Sequence, residues 1–169
     1  MYLIDTPSPF APLGEVLAFL HDIRNLPADR PEVRDARQQA EAALRQHAAT
    51  PLRVLVCGGR DFSDADFLNA ELDHLHGLRR FTALIEGDAI GADRMAGEWA
   101  GRRGVEHVRF VADWKRFGSK AGPKRNRRML DEGKPDLVVA FAGGHGTAHM
   151  VRIARAAGLP VLAPRRSAG

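Results

Sequence analysis

The sequence predicts an α/β protein: a Rossmann-like, doubly wound parallel sheet of about five strands in the order 3-2-1-4-5, preceded by a helical hairpin. Three observations carry this. From Leu52 onward, short β-branched runs alternate with helically spaced apolar residues. The junctions that follow the strands are rich in glycine. The first 50 residues hold two helical patterns and no strand. Residues 1–50 are therefore assigned to a hairpin extension and residues 51–169 to the wound domain.

In chain order, a proline-rich start (Pro7, Pro9, Pro12) leads into Leu13, Val16, Leu17, Leu20 and Ile23, which recur at helical spacing and stop before Pro27. Asp29 is placed to cap a second helix with Pro31 in its first turn. Along it Val33, Ala36, Ala40, Leu44 and His47 form a narrow stripe. Asn25 to Asp29 suits a hairpin connection. The stripe must cover either the main domain or a second copy of itself, and its narrowness favours a homo-oligomer. Thr50 and Pro51 mark the boundary.

Leu52 to Cys57 (LRVLVC) reads as the first strand and ends on two glycines. Ser63 with Asp66 three residues on resembles a capping box, and Phe67, Leu68, Leu72 and Leu75 give that helix its buried face. Phe81 to Glu86 is the second strand. Ala92, Met95, Ala96, Trp99 and Ala100 then keep helical spacing, and His107 to Val111 is the third strand. Pro123 suits the first turn of a helix running to about Glu132, with Gly133 as its stop. Asp136 to Phe141 is the fourth strand, followed by a helix with Met150, Ile153, Ala154 and Ala157 inward. Gly158 ends it, and Pro160 to Leu162 opens the last strand. Strands one and four are then neighbours where the winding reverses, and ligands of such sheets bind there, beyond the carboxyl ends of the strands.

Composition bounds the function. Apolar residues at 44% and charged residues at 27% exclude a disordered chain. The single cysteine, Cys57, excludes an internal disulfide and suits a reducing compartment. The opening residues lack a secretory pattern, and no apolar run approaches the ~20 residues of a membrane span, so a cytoplasmic protein is expected. Residues 1–50 carry five arginines against seven carboxylates, whereas the remainder carries 20 basic and 14 acidic side chains. The larger part therefore favours anionic partners.

The carboxyl-edge loops carry the chemistry. They are Gly58-Gly59-Arg60-Asp61-Phe62, then Gly87-Asp88-Ala89-Ile90-Gly91-Ala92-Asp93, then a long basic loop from Asp113 to Asn126, then Gly143-Gly144-His145-Gly146-Thr147. Glycine lets backbone approach a ligand closely, and helix starts offer free amides to anions. In FAGGHGT the amides around Gly146 and Thr147, with the Thr147 hydroxyl, suit a phosphate. The same turn also reads as a tight junction with Thr147 a plain cap, and the other glycine turns on this edge tip the balance towards binding. Arg60 and Asp61 read either as a rim ion pair or as Arg60 meeting a phosphate or carboxylate. Asp93 caps its helix or accepts from ribose hydroxyls, and Glu86 and Asp88 are equally open.

Lys115, Arg116, Lys120, Lys124, Arg125, Arg127 and Arg128 crowd a stretch without acids, and at least half of such a run is a solvated face. Lys124 and Arg125, beside Gly122 and Pro123 at a helix start, are the candidate anion contacts, and Asn126 the base- or sugar-facing amide. Trp114 either stacks on a base or covers the strand end. His145 and His149 stand four apart but lack a third ligand in register, so no metal site is expected. Cys57 reads as a small core residue. No nucleophile elbow and no P-loop occurs in the chain.

GGRDF, GDAIGADRMAGEWA, DWKRFGSKAGPKRNRRM and FAGGHGTAHM, in that order, resemble the YspA-related branch of the SLOG superfamily. That superfamily groups Rossmann-like domains related to the LOG phosphoribohydrolases and to the DNA-processing protein DprA. The resemblance runs from about Leu52 to Leu162 and leaves the hairpin out. It implies a nucleotide-type ligand across the Gly58–Gly59, Gly87–Gly91 and Gly143–Thr147 loops. LOG enzymes carry PGGxGTxxE with a catalytic glutamate. Here Ala142 replaces the proline and Met150 the glutamate, and a thioether does no acid–base work. Asp61, Asp88 or Glu98 would have to substitute.

Three functions follow as expectations. The first is a sensor that binds a nucleotide or nucleotide-derived phosphate ligand, with Arg60, Lys124 and Arg125 meeting charge. The second is a hydrolase of nucleotide N-glycosidic or phosphate bonds using Asp61 or Asp88. The third is single-stranded DNA binding through Lys115 to Arg128.

Overall fold

The computed structural model describes residues 4–166. Its chain divides between Pro51 and Leu52 into two units. In the first, α1 (Leu13–Asp22) and α2 (Pro31–Gln46) pack on one another. Val16 and Leu17 of α1 and Val33, Ala36, Ala40 and Ala43 of α2 are buried. His47 Nε2 meets the Ala11 carbonyl at 2.9 Å, and Thr6 Oγ1 donates to Gln39 Oε1 at 2.9 Å, which closes the hairpin on itself.

The second unit is built on β1 (Arg53–Cys57), β2 (Ala83–Glu86), β3 (Glu106–Arg109), β4 (Leu137–Ala140) and β5 (Val161–Leu162). They form one parallel sheet in the order β3-β2-β1-β4-β5. Parallel strands need crossovers, and α3 (Ala65–Leu78), α4 (Ala92–Arg103), α6 (Ala121–Asp131) and α7 (His145–Ala156) supply them. Central β1, β2 and β4 carry β-branched and aliphatic residues because both their faces are covered, whereas Glu106 and Arg109 on β3 are exposed at the edge.

Strand alternation sorts the core into two layers. Leu55, Cys57, Ile85, Val138 and Ala140 gather with Met129 and Leu130 of α6 and Met150, Ile153 and Ala154 of α7. Elsewhere α3 packs on α4, and buried Trp99 meets His76 edge-on and Phe81 at a tilt, at centroid distances of 5.4 and 5.5 Å. The indole nitrogen of Trp99 donates to Asp73 at 2.9 Å, and Arg103 binds both Asp73 oxygens at 2.7 Å.

Several expected details are corrected. The residue before α2 is Arg30, with no side-chain cap; Asp29 lies one position too early once Pro31 opens the helix. Asp64, not Ser63, caps α3 by accepting from the Phe67 amide at 3.1 Å, so no Ser63–Asp66 capping box forms. Ala43 is buried where Leu44 is only half-buried. Ala157 is exposed because α7 has ended before it. The stretch from Asp113 to Asn126 is not a loop. It holds α5 (Trp114–Phe117), a 3₁₀ turn (Gly118–Lys120) and the start of α6.

Candidate functional site

Beyond the carboxyl ends of β1 and β4 the backbones stay laced. The Phe141 amide donates to the Cys57 carbonyl at 2.8 Å, and the Gly59 amide donates to the Ala142 carbonyl at 2.8 Å. The turn after β2 joins this seam, since the Ala92 amide donates to the Gly59 carbonyl at 3.2 Å. Gly91 permits that approach. Its φ is +81°, and a β-carbon there would stand 2.7 Å from the Arg60 carbonyl oxygen and closer still to that of Gly59. The three glycine-bearing turns thus form one rim.

Over that rim lies a cleft of about 620 Å³, large enough for a small-molecule ligand. Its walls come from Gly58, Arg60 and Asp61 after β1, Ala89 and Asp93 after β2, and Gly144 to Thr147 with His149 at the start of α7. Trp114, Gly122, Pro123, Arg125 and Asn126 complete it from the segment after β3.

Asp93, in the first turn of α4 and 4% exposed, accepts from the Gly87 amide at 3.1 Å. Burial, aided by nearby Glu86, pushes its carboxyl up to about 6 against the opposing pull of Arg125. Arg125 reaches across the site to donate from Nη1 to the Gly87 carbonyl, a path that any β-carbon at position 87 would block. Burial holds the Arg125 guanidinium below the usual arginine range, and Asp93 and Glu86 partly restore it. Glu86, almost wholly buried, accepts from the Asp88 amide and pairs with His107 Nε2 at 2.7 Å. Asp88 takes a left-handed φ of +58° at this turn and pairs with Arg109 at 3.4 Å.

Asn126 is buried and fastens α6 to α7. Its Nδ2 donates to the Gly146 carbonyl at 3.1 Å and contacts His149 Nδ1 at 3.1 Å, while its Oδ1 accepts from Arg125 Nε at 3.0 Å. With Asn126 donating to Nδ1, the imidazole proton sits on Nε2. Burial, with Arg152 and Arg127, lowers the His149 pKa and favours the neutral ring. α7 begins without a side-chain cap, which leaves its first amides without a partner inside the helix and turned to the positive end of its dipole. At the far wall the Arg60 guanidinium lies 5.4 Å from the Trp114 ring centroid.

Of the residues singled out in the sequence, Gly58, Arg60, Asp61, Asp93, Trp114, Gly122, Pro123, Arg125, Asn126 and Gly144 through Thr147 meet in this cleft. Gly87 and Asp88 line an adjoining hollow. Gly59, Gly91, Ala92 and Gly143 belong to the rim's framework rather than its walls. Lys124 stands outside, its ammonium 4.7 Å from the Phe117 ring centroid. Lys115, Arg116, Lys120, Arg127 and Arg128 are exposed. Sequence reasoning missed Ala89, Ser119, Met129 and His149 as lining residues and took Cys57 for core alone. Cys57 is buried and also floors the cleft, where desolvation drives its thiol far above the usual range. Met150 is fully buried in the core and does not line the cleft.

A family model described as "YspA, cpYpsA-related SLOG family" matches residues 52–117, from the residue before β1 to the end of α5. The chain is 36% identical over 118 residues to the Gene 61 protein of Mycobacterium phage D29, a match spanning 65% of this chain and 94% of that protein.

Proposed function

This chain belongs to the YspA, cpYpsA-related SLOG family, and from that premise we propose that it binds a nucleotide or nucleotide-derived phosphate ligand and acts as a sensor. One observation carries the reading: side chains and amides from four separate connections wall a single cleft at the switch point, with Arg60, Arg125 and the start of α7 all offering donors to an anion. His149, held through Nδ1 by Asn126, supplies an orienting polar group of the kind such a ligand needs. Mass spectrometry of small molecules released from the purified protein, followed by calorimetric titration of the nucleotides found, tests it. Arg60→Ala is expected to weaken binding about tenfold, as loss of a charge-assisted hydrogen bond does. Unchanged affinity in that variant, or no nucleotide bound by the intact protein, refutes the reading.

A second reading, hydrolysis of an N-glycosidic or phosphate bond, is favoured by Asp61 in the cleft wall and by Asp93, whose pKa of about 6 suits proton transfer near neutrality. Turnover of a nucleotide panel that Asp61→Ala abolishes would establish it. Single-stranded DNA binding draws only on the exposed cations around α5 and α6, and a steep salt dependence would mark it. A cytoplasmic setting goes with the sensor reading and is supported by the single, unpaired cysteine; among the described residues no helix is long and apolar enough to cross a membrane.

A further inference from the structure

A second hollow, of about 540 Å³, adjoins the cleft and shares four of its walls, Arg60, Ala89, Trp114 and Arg125. The bar between the two is the Arg60 guanidinium resting over the Trp114 ring. The two hollows differ in lining. The first holds Asn126, His149 and Asp93. The second is edged by Ile90, Val111 and Trp114, which are 52%, 59% and 47% exposed. Among the described residues only five large apolar side chains are exposed, and three of them stand around this one hollow, Ile90 from the connection after β2 and Val111 and Trp114 from the one after β3. Leaving them in water costs free energy, and such a cluster beside a polar cleft marks a surface meant to be covered.

The charge sits at the junction. Arg60 and Arg125 line both hollows, and Arg60 lies near enough to Arg125 to disfavour its protonated form. A negative group placed there would relieve that repulsion and meet both guanidiniums at once. Asp88, also in the second hollow, is engaged by Arg109.

We propose that the site takes a ligand of the dinucleotide class: two ring systems joined through a phosphate bridge that lies on Arg60 and Arg125, one ring in the polar cleft and the other against Ile90, Val111 and Trp114. This rests on the nucleotide reading of the cleft and specifies the ligand for it. A mononucleotide fills one hollow and leaves the apolar edge in water. A flat second ring covers it, and base–aromatic stacking of this kind is worth at least about fivefold in affinity.

Calorimetric titration of the full chain with diadenosine diphosphate, ADP and AMP tests the proposal. Diadenosine diphosphate is expected to bind at least about fivefold more tightly than ADP. The double variant Ile90→Ser/Val111→Ser, which leaves Trp114 in place, is expected to raise its Kd towards that of ADP while leaving the Kd for ADP unchanged. Both side chains are exposed, so circular dichroism of the variant should match that of the unmodified chain. Quenching of Trp114 fluorescence, assigned by its loss in Trp114→Phe, is expected to be stronger with diadenosine diphosphate than with AMP. If ADP binds as tightly as diadenosine diphosphate, the second hollow is not a ring subsite, and the nucleotide reading stands without it. If the double variant alters only the mass in solution, the apolar edge is a self-association surface and the proposal falls. If none of the three compounds binds the intact chain, the nucleotide reading falls too.

Discussion

Gly91→Ala isolates the cost of holding two of the cleft's turns together. At φ +81° the position penalises any β-carbon, and strain in such sparsely populated backbone costs on the order of 1–3 kcal/mol. The site adds a second cost, because the new carbon would stand 2.7 Å from the Arg60 carbonyl oxygen and closer still to that of Gly59. Both obstacles are backbone, so relief requires moving the turn after β1, and overpacking of this kind costs roughly 1–3 kcal/mol. The sum is about 2–6 kcal/mol. Gly104→Ala is the control: its φ is +66°, yet nothing lies within 4 Å of the added carbon, so only the strain, about 1–2 kcal/mol, is expected. With a urea dependence of roughly 1–3 kcal/mol per molar, the overpacking alone should lower the midpoint at least about 0.3 M further for Gly91→Ala than for Gly104→Ala. Urea unfolding followed by circular dichroism reads the difference. Equal midpoints in the two variants would refute the claim that the turns after β1 and β2 are locked by contact at Gly91.

Asp93 should leave a signature in pH. Its folded pKa, about 6, lies above the ordinary aspartate value of 3.8, so the folded state keeps the proton longer and its ionisation opposes folding above pH 6 by roughly 2–3 kcal/mol. Asp93→Asn is expected to stabilise the protein at pH 7, with a gain that shrinks as pH falls from about 6 towards 4. Taking the difference from the unmodified chain removes the opposing effect of His76 and His149, whose depressed pKa values cost stability as pH falls through 6.5. Urea midpoints across that range check it. Asn126→Ala strands the Gly146 carbonyl and the His149 ring and should cost about 1–3 kcal/mol, read as a lowered Tm. The amino-terminal hairpin exposes Phe10 and Leu26, and we expect it to carry self-association; light scattering should give more than the monomer mass, and Phe10→Asp/Leu26→Asp should return it to monomer.

The strand order and nearly every element were legible because the core is periodic. LRVLVC and DLVVAF alternate between two covered faces, and the α4 stripe of Ala92, Ala96, Trp99 and Ala100 is buried as its spacing requires. Caps were less legible for a chemical reason. Ser63, Asp64 and Asp66 offer near-equivalent oxygens, and only the backbone path selects Asp64. The stretch from Asp113 to Asn126 read as a loop because lysine, arginine and glycine hide its period, although Asp113 caps α5 and Trp114 with Phe117 keeps helical spacing. At the site, glycine and charge marked the turns. His149, Met129 and the cleft-facing edge of Cys57 carried no local signal, since their exposure to the cleft follows from α6 meeting α7 across Asn126. Arg125 and Lys124 are neighbours of the same charge, and the helix turn alone sends one inward and the other over Phe117.

The hydrogen bonds that carry β1 and β4 past their last paired residues have a thermodynamic corollary. In many wound sheets the two connections at the reversal point splay apart and must be ordered when a guest arrives. Here Cys57, Gly59, Phe141 and Ala142 are already stitched, and Ala92 is stitched to them. The conformational entropy of shaping the receptor has been surrendered during folding, so a guest need immobilise little besides itself. A ligand of the proposed class would meet a preset floor there, and an ill-fitting molecule would find little give in the backbone beneath it.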